Sequence, residues 1–123
     1  MNIRHWNSAC NDWSRSLRFY KEEAVILRHR LNDIASRNVA MEVPAQVAHY
    51  ETEFNRQSDT IDKLLNHISE VVAAVAKEAE NYAAYINTKL PKQLNLLEDQ
   101  YSKVEKHWLD LRNAFYRFCS DWM

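Results

Sequence analysis

Residues 90–122 read LPKQLNLLEDQYSKVEKHWLDLRNAFYRFCSDW. Within them Leu90, Leu94, Leu97, Tyr101, Val104, Trp108, Leu111, Phe115, Phe118 and Trp122 follow one another in alternating steps of four and three, with no polar interruption. A mean spacing of about 3.5 residues returns each apolar side chain to one stripe of an α-helix, and a stripe sustained this long is a coiled-coil seam. Two earlier segments carry the same alternation. The first links Trp6, Cys10, Trp13, Leu17, Tyr20, Ala24, Leu27, Leu31 and Ile34. The second links Val47, Tyr50, Phe54, Gln57, Ile61, Leu64, Ile68, Val71, Val75, Glu78, Tyr82 and Tyr85. Phe19, Ile26, Leu65, Val72, Leu96, Leu109 and Tyr116 adjoin these stripes and broaden them into faces, as a bundle needs when each helix touches two others.

The punctuation of the chain agrees. Its 123 residues include no glycine and only two prolines. Turns and bulges of a β-rich fold call on residues that accept positive φ, and a phosphate-cradling loop calls on glycine outright. Residues 38–43 break the charge pattern, Pro44 suits the first turn of a second helix, and Thr88 can cap a third that holds Pro91 in its first turn. The expected fold is all-α: an up-down-up antiparallel three-helix bundle with heptad seams and a long central helix. It forms one domain over residues 1–123, with helices at about 6–37, 44–87 and 89–122. The alternative is a second helix broken near Asn81 or Asn87 to give a four-helix arrangement. Counted from Arg4, helix one carries seven Lys and Arg against four acids, and helix two seven acids against three bases, so the first two helices attract.

Turns near residues 41 and 89 would set Trp13 level with Ile68 or Ser69 and with Trp108 or Leu109. Cys10 would then lie near residue 72 and Cys119 near residue 59, about 20 Å apart and beyond disulfide reach. Helix two, at about 65 Å, would outrun partners of about 45–48 Å and leave two-helix overhangs. Leu27, Leu31, Ile34, Val47, Tyr50 and Phe54 build one, and Tyr82, Tyr85, Ile86, Leu90, Leu94 and Leu97 the other. Uncovered apolar faces mark interfaces, so these residues are the expected contact with a second copy of the chain, as a dimer, or with another helical protein.

Chemistry is sparse. Bundle metal sites place Glu three residues before an inward His, but Ile26, Gln46, Leu64 and Val104 occupy those positions here. His49 with Glu53 and His67 with Glu70 share helix faces away from the seam and read as surface pairs; they are the whole basis of an alternative metal- or ligand-binding reading. Glu78 and Gln57 interrupt the second seam, where a polar residue fixes register at some cost in stability. Cys10 and Cys119 lie at or beside apolar positions and read as small hydrophobes. No catalytic residue, metal ligand or cofactor site is expected. Net charge is −1, Arg15, Arg18 and Lys21 adjoin Glu22 and Glu23, and the apolar run Val71–Ala76 is short. Neither nucleic-acid binding nor stable membrane insertion is therefore expected, and two cysteines suit the cytoplasm. The sequence points to a non-enzymatic scaffold or adaptor that acts through protein–protein contact and self-associates.

Overall fold

The computed structural model describes residues 3–37, 42–81 and 90–122. The described residues form three helices and no strand: α1 (Ile3–Arg37), α2 (Glu42–Asn81) and α3 (Leu90–Trp122). An all-α three-helix bundle is thus what the seams build. α2 starts two residues earlier than expected, with Pro44 in its first turn, where a missing N–H breaks no intrahelical bond. The expected continuation of α2 to residue 87 and the Thr88 cap lie outside the described residues.

The core is made by the heptad stripes. Trp6, Cys10, Leu17, Ile61, Ile68, Val75, Leu94 and Leu97 are buried together toward one end, with Trp13 and Tyr101 stacked against them. Ala24, Leu27, Leu31, Ile34, Val43, Phe54, Trp108, Phe115 and Phe118 are buried toward the other. Each fully buried aliphatic or aromatic side chain contributes roughly 1.5–3 kcal/mol from the area it removes from water. At the second end the rings interlock. Tyr50 lies 5.1 Å from Phe118 and 5.3 Å from Phe115 between ring centroids, and Phe54 lies 5.1 Å from Phe115 and 6.0 Å from Trp108.

Those pairs correct the register. Tyr50 lies beside Phe118 and Phe54 beside Phe115, whereas a turn near residue 89 would have set Cys119 near residue 59. α3 is thereby displaced several residues toward the α1–α2 connection. Trp13 stacks on Tyr101 at 5.8 Å, while Trp108 packs on Tyr20 and Phe54 one storey further along, so the expected layer of Trp13 with Trp108 does not exist. Cys10 does share a cleft with Val72, as counted, but Cys119 lies at the Tyr50 end rather than near residue 59. Both thiols are free and buried.

The displacement closes the bundle. With 35, 40 and 33 residues, the helices are about 53, 60 and 50 Å long at 1.5 Å per residue, and the described parts run side by side. The overhang expected at the Leu27, Leu31, Ile34 and Phe54 end is filled by Phe115, Phe118 and Trp122 of α3. The α1–α2 and α2–α3 contacts are more extensive than those between α1 and α3, so the last is the loosest seam.

Candidate functional site

The expected interface residues divide three ways. Leu27, Leu31, Ile34, Phe54 and Leu94 are buried inside the single chain, because the shifted register brings a third helix over them. Val47 and Tyr50 are half-buried. Val47 lines a cleft of about 250 Å³ with Ala35, Val43, Pro44, Ala48 and Glu51, and Tyr50 donates its hydroxyl to the Ala114 carbonyl at 3.1 Å. Tyr82, Tyr85 and Ile86 lie outside the described residues, as do the side chains of Leu90 and Glu78. Gln57 is half-buried on its seam, and its Oε1 has no hydrogen-bond partner among the described residues.

His49 and His67 are exposed on α2 and stand eighteen residues apart, or about 27 Å along one helix, so the two pairs are separate sites at most. Glu53, the acid beside His49, is committed to Arg56 at 2.9 Å. Among the described residues no three His, Cys, Asp or Glu side chains gather where a metal ion could be held. Burial pushes the Cys10 thiol up to about 11 and that of Cys119 above its usual value, Arg30 opposing the second shift. Neither sulfur therefore carries the thiolate character of a nucleophile. No described helix is long and apolar enough to cross a membrane.

What the surface does offer is the seam between α1 and α3. Two carboxylates, one from each helix, hold it. Glu23 of α1 accepts the Trp108 indole N–H at 2.9 Å and the Arg112 guanidinium at 3.2 Å. Glu105 of α3 accepts the Tyr20 hydroxyl at 2.7 Å, and the Tyr101 hydroxyl donates to the same oxygen. Burial first, and then the hydrogen bonds to Glu105, raise both phenols above their ordinary range. The two bonds that cross from α1 to α3 with the same offset, Tyr20 to Glu105 and Trp108 to Glu23, fix the parallel register of these helices.

Above this polar floor rise two apolar rows. Phe19 and Ile26, one heptad apart on α1, are 55% and 61% exposed. Leu109 and Tyr116, one heptad apart on α3, are half-buried and 42% exposed respectively. Phe19 and Leu109 line opposite sides of one open cleft of about 490 Å³ whose floor includes Ser16, Tyr20 and Arg112. The sequence placed all four as broadening the seams; Leu109 does pack against the core, whereas Phe19, Ile26 and Tyr116 are turned outward. Their identical seven-residue spacing beside two seams was the signal available. It became legible only once α1 and α3 were known to be neighbours in this register.

The other grooves differ. On α2, Thr60 and His67 are exposed polar residues, as are Gln100 and His107 on α3. Between α1 and α2 one edge has half-buried Leu65 and Val72, but the opposite edge is Asn11, Ser14 and Arg18, and Lys21 bridges to Asp62 at 2.7 Å. The α1–α3 cleft has an apolar side chain on each side, Phe19 and Leu109. Comparison with protein-family models, with curated proteins and with solved structures finds no match to this chain.

Proposed function

We propose that this chain is a non-enzymatic helical scaffold that works by protein–protein contact, and that its working surface is the face formed by α1 and α3. The observation that supports this is the cleft lined by Phe19 and Leu109, with Ile26 and Tyr116 exposed one heptad further along each helix, over a seam tied by Glu23 and Glu105. Exposed side chains repeating every seventh residue on two adjacent helices are what a further helix needs to lay its own apolar stripe between them. The face moves the contact away from the bundle ends, where the seams alone suggested it. Self-association, in the cytoplasm, is the form this contact takes in our reading.

The test is a photo-cross-linking amino acid placed at Ile26, compared with the same group at Lys63, which is exposed on α2 away from the groove. Position 26 should yield protein adducts in cells and position 63 should yield few. Equal yields, or none from either, would overturn the proposal.

A further inference from the structure

We propose that Tyr20, Tyr101 and Glu105 form a one-electron redox site, in which two phenols share one proton acceptor and trap an oxidising equivalent that arrives on Trp13 or Trp108. The substrate class is an outer-sphere one-electron oxidant. Four oxidisable rings meet across the α1–α3 seam. Trp13 stacks on Tyr101 with ring centroids 5.8 Å apart, and Trp108 lies 6.4 Å from Tyr20. The Glu105 carboxylate joins the two ring pairs. One of its oxygens accepts both phenolic O–H groups, that of Tyr20 at 2.7 Å. Trp13 and both phenols are half-buried while Trp108 is fully buried, so the rings connect the core with the surface.

The proton decides where an oxidation stops. A phenol that loses an electron and keeps its proton becomes a strongly acidic radical cation, which is costly to form. Losing the proton together with the electron gives the far more stable neutral phenoxyl radical. Burial and the bonds to Glu105 keep both phenols protonated at neutral pH, so their oxidation needs a proton acceptor already in place. Glu105 is that acceptor. One electron leaves for the oxidant, the Tyr20 O–H bond breaks, and the proton forms a new O–H bond with Oε2 of Glu105. Tyr20 is left as the neutral phenoxyl radical. Tyr101 can make the same transfer in its place. An indole radical is a stronger oxidant than a phenol with such a base, so a hole on Trp13 or Trp108 is filled by the phenol beside it. The shared oxygen takes one proton, so the pair holds one oxidising equivalent per chain.

Tyr50 and Tyr116 differ. The Tyr50 hydroxyl donates to the Ala114 carbonyl at 3.1 Å, and an amide oxygen is far too weak a base to keep the proton. Phe54 lies 6.0 Å from Trp108 and 6.2 Å from Tyr50, but its ring is too hard to oxidise to serve as a step between them. Tyr116 is exposed, where a radical meets solvent and other chains.

Flash photolysis of the whole chain with tris(bipyridyl)ruthenium and a sacrificial electron acceptor generates the ruthenium(III) oxidant, which returns to ruthenium(II) as it takes the electron. Transient absorption follows the radical, and electron paramagnetic resonance after rapid freezing identifies it. The unaltered protein should give a tyrosyl spectrum that narrows with ring-deuterated tyrosine and is unmoved by ring-deuterated tryptophan. Glu105→Gln matches the carboxylate in size but not in basicity, and should slow formation of the radical about a hundredfold with unchanged helical circular dichroism. Tyr20→Phe and Tyr101→Phe should each keep the fast tyrosyl phase through the remaining phenol. The double variant should lose that phase and leave the hole on tryptophan, whereas Tyr116→Phe should change nothing. A persistent tryptophanyl radical in the unaltered chain, a rate unaffected by Glu105→Gln, or a fast tyrosyl phase that survives in the double variant would each overturn the site. Should Glu105→Gln fail to fold, the isotope labelling and the tyrosine variants decide the matter, since both leave the carboxylate in place.

Discussion

Removing the Glu23 carboxylate tests whether the α1–α3 seam is held as described. Glu23→Ala leaves the Trp108 indole N–H without its acceptor inside a fully buried ring. An orphaned buried donor costs about 1–3 kcal/mol. Arg112 loses its ion pair too, but its side chain is 26% exposed and turns to water, so this adds at most about 1 kcal/mol. The sum is about 1–4 kcal/mol, a large share of the roughly 5–15 kcal/mol that holds a domain folded. In a chain of this size it should lower Tm by roughly 10 °C. Urea unfolding followed by circular dichroism measures the cost, and a double-mutant cycle with Trp108→Phe isolates the hydrogen bond. With the indole N–H gone, Glu23→Ala no longer strands a buried donor and should cost about 1–2 kcal/mol less than it does alone. A coupling below about 0.5 kcal/mol, the scatter expected of independent sites, would refute the assignment of Glu23 as the seam's acceptor.

Other measurements probe other parts of the molecule. Phe54→Ala empties the centre of the ring cluster formed with Tyr50, Trp108 and Phe115 and should cost about 3–5 kcal/mol in the same assay, whereas Lys21→Ala, which breaks a pair about half exposed on both sides, should cost less than about 1 kcal/mol. Tyr20 and Tyr101 have folded pKa values raised above the unfolded one, so their contribution to stability is complete below about pH 10 and is lost as pH climbs toward the folded values. Ultraviolet titration should show these phenols ionising above the ordinary phenol value of about 10, together with alkaline unfolding; ionisation at the ordinary value would contradict the Glu105 site. Cys10, with its thiol pushed up to about 11, should resist iodoacetamide at neutral pH and react at the rate at which the chain unfolds.

The sequence carried the helices and most of the interior. Heptad stripes say which face of each helix is apolar, and Leu17, Ile61, Leu97 and Phe115 are buried as their positions require. What the stripes do not carry is the level at which one helix meets the next. A seven-residue repeat looks the same after a slip of one heptad, so only side-chain detail separates neighbouring registers. Here the decision lies in large rings, Tyr50 and Phe54 fitting against Phe115 and Phe118, and in Glu23 reaching Trp108. Taking Pro91 as the end of a tight turn gave a displaced register, and the overhangs followed from it. The same loss hid the α1–α3 face. Phe19 and Leu109 sit ninety residues apart in the chain, and nothing local announces that they share a cleft.

The seam between α1 and α3 is also the one that loops most of the chain. Tyr20 and Glu105 are 85 residues apart, as are Glu23 and Trp108, whereas each antiparallel hairpin begins from residues close in sequence. Contacts that close long loops are made after the entropy of closure has been met, and they come late in folding. The α1–α2 and α2–α3 hairpins can therefore form first, with the seam joining them last. Phe19 and Ile26 come within reach of Leu109 and Tyr116 only when this final step is complete. A surface assembled across the last seam to close is present in the finished bundle and absent from its hairpins. Any partner seated there selects the completed fold and adds its binding free energy to the stability of that state alone.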